Sequence, residues 1–239
     1  MATKQMRSLT QNDIEKAFKK TVDETEVPAG SKLVLVTEDL YQRALSIPKE
    51  CFVYDEPLGK SIGIQWSDEF ESLWLHTFEA NLSIILVNED NGEIMGMRAT
   101  KLIKKGDHFD LDSLKDEKLR RIIEFMSYGV TEFFNKYGIE EAFHFLGLGV
   151  AKKYRRRGLG KFLMQTAVKF LGNLGINPYY IKGEGTSNFS KKIYENCHFD
   201  IVMEYPFDEY KKDGNVVFDN TAEHKSMKVY GICSSKNPI

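Results

Sequence analysis

One segment constrains the fold of this chain more than any other, because three local signals follow one another without interruption. Residues 142–151 (AFHFLGLGVA) are apolar and predict a buried strand. A basic stretch with two glycines follows at residues 155–160 (RRRGLG), and apolar residues then return at helical spacing up to Gly172 or Gly175. A strand, a basic glycine loop and a helix in this order predict an α/β domain.

The glycine loop at residues 155–160 has the properties of a phosphate-binding site. A helix N-terminus exposes backbone N–H groups and the positive end of the helix dipole, and glycines let an anion come close to them. Two well-known phosphate loops are excluded. A P-loop requires glycine at Arg155 and Ser or Thr at Phe162, and a GxGxxG motif starting at Gly158 requires glycine at Leu163. The alternative for KKYRRR is a solvated basic patch or a site for nucleic-acid phosphates, which explains neither the glycines nor the preceding strand.

The rest of the chain predicts the remaining elements of a single mixed α/β domain. We expect strands at 33–36, 178–182, 198–205 and 225–232, a hairpin over 82–103 that turns at Asn91-Gly92, and helices at 66–80, 119–137 and 187–196. A further helix through residues 40–47 is predicted to begin at Thr37 or Asp39 and to be broken by Pro48 and Pro57. Residues 1–30 are predicted to form an accessory helix or a loose N-terminal arm, and residues 31–239 the domain.

Composition limits the class of protein. The 33 Lys and Arg against 35 Asp and Glu exclude a nucleic-acid binder with a strongly basic surface. The three cysteines form no CxxC pair and the five histidines are dispersed, so neither a disulfide framework nor a metal site is predicted. No apolar run is long enough to span a membrane, and residues 1–30 lack a signal-peptide core. These observations predict a cytoplasmic protein.

The glycine loop resembles the acetyl-CoA-binding motif of the GCN5-related N-acetyltransferases (GNAT), Gln/Arg-x-x-Gly-x-Gly/Ala between a strand and a helix. Arg155, Gly158 and Gly160 match its fixed positions. The resemblance implies a GNAT fold, with a single mixed, mostly antiparallel central β-sheet flanked by helices. It also implies acetyl-CoA as cosubstrate, with no metal, and Val150 as the backbone N–H that polarises the thioester carbonyl. The implied coenzyme-binding residues are Leu148, Gly149, Val150, Arg155, Arg156, Arg157, Gly158, Leu159, Gly160 and Lys161.

A second element downstream, TSNFSKKIYENCHF at residues 186–199, resembles the helix-then-strand element of the same family. Tyr194, Glu195 and Phe199 match the family pattern, whereas His198 stands where glycine is common. By resemblance, Tyr194 protonates the departing thiolate, a task that suits a phenol with a pKa of about 10. The alternative is a helix tyrosine with its ring in the core and its hydroxyl at the surface.

The tetrapeptide Asp55-Glu56-Pro57-Leu58 resembles an element of the insect arylalkylamine (dopamine-type) N-acetyltransferases, in which the glutamate is the general base. An alkylammonium group must lose a proton before it can attack a thioester, and a carboxylate in an aromatic cleft has a raised pKa that suits this task. Glu56 is therefore the predicted base, against the alternative of a loop acid before a turn-forming proline. By the same resemblance Thr186, Ser187 and Ser190 are candidates for proton handling or coenzyme contact, with helix capping as the default for Ser187.

The sequence leaves several functions open. The predicted activity is acetyl transfer to the primary amine of a small arylalkylamine, which Trp66, Trp74 and Tyr54 could bind if they are not core residues. The acceptor could instead be a polyamine, agmatine or a protein lysine, with Glu204, Asp208 and Glu209 lining a channel for a second positive charge. A noncatalytic module that binds phosphate or nucleic acid is the alternative from another class. The oligomeric state is not predicted.

Overall fold

The computed structural model describes residues 9–235. Its helices are α1 (Gln11–Asp23), α2 (Tyr41–Ala44), α3 (Ser46–Tyr54), α4 (Pro57–Ile62), α5 (Asp68–Phe78), α6 (Glu117–Tyr137), α7 (Leu159–Asn173) and α8 (Asn188–Asn196). Its strands are β1 (Ser31–Leu35), β2 (Ile84–Asn88), β3 (Ile94–Lys104), β4 (Glu141–Val150), β5 (Tyr180–Gly185), β6 (Asp200–Pro206), β7 (Lys211–Lys212), β8 (Asn215–Val216) and β9 (Ser226–Cys233).

Seven strands form one central sheet in the order β1-β2-β3-β4-β5-β9-β6, and β7 and β8 form a separate small hairpin. Within the central sheet β4 and β5 run parallel, and the other neighbouring pairs are antiparallel. The predicted fold, a mixed and mostly antiparallel sheet flanked by helices, is confirmed. The predicted hairpin is β2–β3, and the predicted long helix is α6, which ends at Gly138 in a left-handed conformation.

The parallel pair β4–β5 opens partway along its length. Its ladder joins residues 143–145 to residues 181–183, although β4 continues to Val150 and β5 to Gly185. On the other edge of β4, the register with β3 shifts between Ala99 and Thr100, which leaves Leu146 as the extra residue of a β-bulge. The strands therefore separate beyond Phe145 and Gly183, and we call this opening the strand gap.

The helices cover both faces of the sheet, and the glycines of the strands show where they approach closely. A Cβ at Gly149 would lie 2.4 Å from Ile47 of α3, and one at Gly147 would lie 2.6 Å from Trp74 of α5. On the opposite face, a Cβ at Gly96 would lie 2.9 Å from Leu163 of α7. Helix α6 shares the face of α3 and α5, and α8 shares the face of α7. The main apolar core lies in these two layers.

Helix α1 packs against α7. Thr10 and Asp13 form a capping box at its start, and its Phe18 ring meets Phe170 edge to face at 5.6 Å. The Asn173 side chain donates to the Thr21 hydroxyl at 3.0 Å. The described part of residues 1–30 thus contains a docked helix, and residues 1–8 of the predicted arm lie outside the described residues.

Residues 37–54 differ from the single helix that the sequence predicts. A 3-10 turn (Glu38–Leu40) and the short α2 come first, and Pro48 lies within α3 rather than after it. Proline is tolerated there because, in the first turn of a helix, the backbone N–H that it lacks has no intrahelical partner. Thr37 makes no side-chain cap, and its hydroxyl donates to Asp39 instead. Thr37 is nevertheless the N-cap position of the 3-10 turn, so the helical segment begins at one of the two predicted residues, without the side-chain cap.

Candidate active site

The glycine loop connects the end of β4 to the start of α7 and leaves backbone donors free. Arg156 and Gly158 have φ of 62° and 78°, and this left-handed backbone turns the chain into the helix. The first helical bond runs from Phe162 N–H to the Gly158 carbonyl, so the N–H groups of Leu159 and Gly160 precede it. Free N–H groups at a helix start favour an anion.

The residues of the loop divide by exposure. Arg156, Arg157, Gly158 and Lys161 are exposed, Leu159 is buried, and Gly160 is half-buried. A Cβ at Gly160 would lie 3.0 Å from Ile193 of α8, so the absence of a side chain lets α7 and α8 approach there. Three of the exposed side chains, those of Arg156, Arg157 and Lys161, are cationic, and the coenzyme-binding role of the loop stays a prediction.

The half-buried guanidinium of Arg155 bonds to other groups of the protein. Its Nε donates to the Val150 carbonyl at 2.8 Å, and one Nη donates to the Asp55 carboxylate at 2.7 Å. The same group lies 3.7 Å from the Cys51 sulfur. Arg155 thus ties the loop to the end of β4 and to the residue before Glu56.

The edge of β4 that faces the strand gap offers backbone groups. Leu148, Gly149 and Val150 pair with β3 on the other edge. Ala151 N–H donates to Met95 of β3 at 2.9 Å, and alternation along a strand turns the N–H of Val150 toward the gap. The Val150 N–H is therefore available to a ligand in the gap.

Glu56 is the N-cap residue of α4, and its carboxylate is directed inward. Its Oε2 accepts from Gly59 N–H at 2.7 Å, whereas its Oε1 is buried without a hydrogen-bond partner in the described chain. Burial raises the pKa of Glu56, and the hydrogen bonds from Gly59 and from the Thr186 hydroxyl oppose that rise. Thr186 follows the end of β5, so Glu56 lies where β5 leads into α8.

The three candidate hydroxyls have different surroundings. Thr186 contacts the Glu56 carboxylate. Ser187 and Ser190 form a capping box at the start of α8: Ser190 N–H donates to the Ser187 hydroxyl at 3.1 Å, and Ser187 N–H lies 3.3 Å from the Ser190 hydroxyl. The default capping role of Ser187 agrees with this geometry, and any further role of the two serines stays a prediction.

Tyr194 lies on α8 with its hydroxyl buried, not at the surface. The hydroxyl accepts a hydrogen bond from Arg98 at 2.7 Å and lies 3.4 Å from the Phe145 carbonyl. A Cβ at Gly183 would lie 2.1 Å from this oxygen. Phe145 and Gly183 are the last paired residues of the β4–β5 ladder, so the hydroxyl lies where the strand gap opens. Burial raises the pKa of Tyr194, and the Arg98 guanidinium opposes the rise.

The family model of the acetyltransferase (GNAT) family matches residues 41–199, which include Glu56, the glycine loop and Tyr194. The chain belongs to the GNAT family. Enzymes of this family use acetyl-CoA as acyl donor. The matched residues contain every strand from β2 to β5, and therefore both sides of the strand gap.

Solved structures show the same GNAT fold. Arylalkylamine N-acetyltransferase 2 from Aedes aegypti is 20% identical, with a TM-score of 0.77 over 84% of this chain and 98% of that one. A mosquito arylalkylamine N-acetyltransferase like 5b is 21% identical, with a TM-score of 0.78 over 85% and 99%. A Drosophila melanogaster polyamine N-acetyltransferase, which forms N-acetylagmatine, is 15% identical, with a TM-score of 0.74 over 84% and 99%.

Sequence reasoning did not identify two buried polar features of this GNAT domain. Arg98 on β3 bonds Tyr194, and its only sequence signal is a cation inside an apolar strand. On the opposite face, Glu184 accepts from Lys182 and bonds His144 Nε2 at 2.7 Å. Burial and the neighbouring cations lower the pKa of His144. No local pattern marks these contacts. One joins β3 to α8, one joins β4 to β5, and the third lies within β5, whose sequence resembles that of a core strand.

The aromatic residues near the GNAT site differ in burial. Trp74 is buried, and its ring lies 4.8 Å from that of Phe52, both against Gly147 of β4. Trp66 is half-buried and donates its indole N–H to Glu71, whereas Tyr54 is 67% exposed. Trp74 and Phe52 thus form an apolar layer beside the β4 edge of the strand gap.

Residues 9–235 contain neither a metal-ligand cluster nor a membrane-spanning helix. No group of three or more His, Cys, Asp or Glu side chains in that range is placed to hold a metal ion. None of the helices in the same range is long and apolar enough to cross a bilayer. A shallow depression lined by Val34, Arg43 and Ile85 lies at the β1–β2 end of the sheet, away from the strand gap.

Proposed function

We propose that this GNAT chain is an acetyl-CoA-dependent N-acetyltransferase that acetylates the primary amine of a small arylalkylamine. One observation carries the proposal: where β5 leads into α8, the Glu56 carboxylate has a buried oxygen without a hydrogen-bond partner in the described chain. Burial also raises the pKa of this carboxylate. A carboxylate in this setting can accept a proton and attract an incoming cation. The similarity of fold to arylalkylamine N-acetyltransferases supports the choice of acceptor.

The mechanism assigns each step to a group of this chain. The glycine loop and the Leu148–Val150 edge bind the acyl donor through the backbone, with Arg156, Arg157 and Lys161 supplying positive charge. Glu56 takes a proton from the ammonium group, directly or through water, and the free amine attacks the thioester carbonyl. The Val150 N–H stabilises the negative oxygen that forms, and the C–S bond then breaks with its electron pair on sulfur. Tyr194 gives its proton to that sulfur, and Thr186, Ser187 and Ser190 are the candidate hydroxyls for moving protons nearby.

A polyamine or agmatine is the second candidate acceptor, since the Drosophila relative acts on such an amine. The acidic residues that were predicted to bind the second positive charge of such an amine give this candidate little support. Glu204 is exposed on the edge strand β6 and bonds Ser226, and Asp208 and Glu209 are exposed in the 3-10 turn after it. A monoamine with an aromatic group therefore fits this chain better than a diamine.

Three buried cysteines that form no disulfide support a reducing compartment, in line with the predicted cytoplasmic location. Cys51, Cys197 and Cys233 are all buried, and no disulfide joins them within the described residues. An acceptor and an acyl donor are the partners that the proposal requires.

The proposal is tested by measuring coenzyme A release from acetyl-CoA with tyramine, dopamine, serotonin, agmatine, spermidine and a lysine peptide, against a blank without amine. Rapid release with the arylalkylamines supports the proposal, and rapid release with agmatine or spermidine alone would replace it with the second candidate. A rise of the melting temperature with acetyl-CoA but no release would retain the donor site and reject the amine acceptor. Salt-dependent binding to DNA without that rise would support the noncatalytic module.

A further inference from the structure

Arg98 is a buried cation, and none of the carboxylates within residues 9–235 forms an ion pair with it. Its side chain is 1% exposed on β3, in the middle of the sheet. Within residues 9–235, the polar contact that the structure gives it is the hydrogen bond from Nη2 to the Tyr194 hydroxyl, and its Nε has no acceptor. The guanidinium also lies 4.1 Å from the centre of the Phe145 ring.

An arginine in this position is costly for the fold. Guanidinium stays protonated in proteins, so its charge is carried into the core, where an unpaired ion destabilises the fold because it loses its hydration. The face of an aromatic ring compensates only part of that cost. Burial lowers the pKa of Arg98, with Tyr194 and Cys197 as the acidic groups that oppose the change. An apolar residue of similar length would fill the same space without the cost, so packing alone does not explain Arg98.

The location of the hydroxyl gives Arg98 a function. Three features position the Tyr194 hydroxyl. Its ring stacks on Tyr230, with the ring centres 4.6 Å apart, and Arg98 donates to its oxygen. Gly183 has no side chain, which leaves space for that oxygen. Because the arginine occupies an acceptor position of the oxygen, the phenolic proton is directed elsewhere. The Phe145 carbonyl, at 3.4 Å, is a weak acceptor for it. The proton is therefore available at the mouth of the strand gap.

We propose that Arg98 is a positioning residue that orients the Tyr194 hydroxyl and stabilises the negative charge on its oxygen when it protonates the leaving thiolate. This inference rests on the proposed function. In that step the C–S bond of the tetrahedral intermediate breaks, the electron pair stays on sulfur, and the proton moves from the Tyr194 oxygen to sulfur. The resulting tyrosinate is paired with Arg98 until it takes a proton from water. The unpaired buried charge of Arg98 then stabilises the Tyr194 tyrosinate, which exists only during the reaction.

A double-mutant cycle with Arg98→Met and Tyr194→Phe tests the inference, with kcat measured on the amine that the wild type uses best. We expect Arg98→Met to lower kcat by about 10- to 100-fold in the wild-type background, the worth of a hydrogen bond to a charged group. In the Tyr194→Phe background the same change is expected to lower kcat by less than about 3-fold, since no tyrosinate forms there. Arg98→Lys keeps a cation and is expected to recover most of the loss.

Stability and a matched control separate this role from a structural one. Arg98→Met is expected to keep or raise the melting temperature while kcat falls, because it removes an unpaired buried charge. Arg43→Met removes an exposed arginine that bonds the Gly92 carbonyl, and it is expected to leave kcat unchanged. Equal losses of kcat from Arg98→Met in both backgrounds would overturn the inference while leaving the proposed function intact. A wild type that acetylates none of the amines would overturn both.

Discussion

The substitution Glu56→Gln isolates the basicity of the proposed general base. Glu56 uses Oε2 to cap α4 through Gly59 N–H, and its buried Oε1 is the atom without a partner. The amide oxygen of glutamine can accept the same bond from Gly59, so the cap is retained while the proton acceptor is lost. A positioned general base contributes about 10²–10⁴-fold. We therefore expect kcat/KM to fall by about 10²–10³-fold, which corresponds to about 2.7–4 kcal/mol of transition-state free energy.

The pH profile of the wild type gives an independent readout of the same residue. The base must be ionised, so kcat/KM falls as the pH drops through the pKa of Glu56. Because burial raises that pKa, the fall begins at a higher pH than for an ordinary glutamate, whose pKa is about 4.3. In Glu56→Gln this acid limb is expected to disappear. Coenzyme A release across a pH series measures both effects, and Glu132→Gln, which removes an exposed acid of α6, is the control for a general loss of charge.

The same pKa shift predicts a change in stability with a definite sign. A carboxyl whose pKa is higher in the folded state than in the unfolded state destabilises the fold when it ionises. This penalty grows as the pH rises from the unfolded-state pKa to the folded-state pKa, and it stays constant above that range. Glu56→Gln removes this penalty, so the variant should be more stable than the wild type at neutral pH, and the difference should vanish below about pH 4. An unchanged kcat/KM with an unchanged pH profile would refute the assignment of Glu56 as base.

Three further predictions follow from glycine geometry and helix capping. Gly183→Ala places a Cβ 2.1 Å from the Tyr194 oxygen, so it should displace the hydroxyl and lower kcat by at least about 10-fold, with circular dichroism as the check on folding. Gly158→Ala puts a side chain on a residue with φ of 78°, so the Kd for acetyl-CoA by calorimetry should rise several-fold, and an unchanged Kd would contradict the role of this turn. Ser187→Ala removes the N-cap hydroxyl of α8 and should lower the free energy of unfolding in urea by about 1 kcal/mol; no change would show that the cap is dispensable.

The sequence predicted those parts of the fold that depend on local signals. Helix α6 has an apolar stripe and a terminal glycine, and β2–β3 has an Asn-Gly turn, so each is determined by residues within about twenty positions. The glycine loop belongs to the same class, because its strand, glycines and helix are contiguous. Residues 37–54 did not follow from the pattern. They pack on β3 and β4, which lie far away in the sequence, and such tertiary contacts can override local propensity.

Only those residues of the candidate site that belong to a short motif could be predicted from the sequence. Glu56 and Tyr194 belong to motifs, but their surroundings come from distant parts of the chain: Thr186 contacts Glu56, and Arg98 contacts Tyr194. One signal for the second contact was present in the sequence. Gly183 interrupts a strand, and a glycine there often marks a close approach of another group, here the Tyr194 hydroxyl.

At the strand gap, the two faces of the sheet differ in charge, and the topology explains the difference. Strands β4 and β5 are parallel, so both end at the same edge of the sheet, and each leads into the N-terminus of a helix, α7 and α8. Helix N-termini carry positive partial charge, and Arg98 adds a full charge on the same face. Glu56, which α3 and α4 bring from the opposite face, supplies a negative charge near the end of β5. Under the proposed function, an anionic acyl donor and a cationic amine therefore each face the opposite charge, on different faces of the sheet, and the strand gap is the place where the reacting groups would meet.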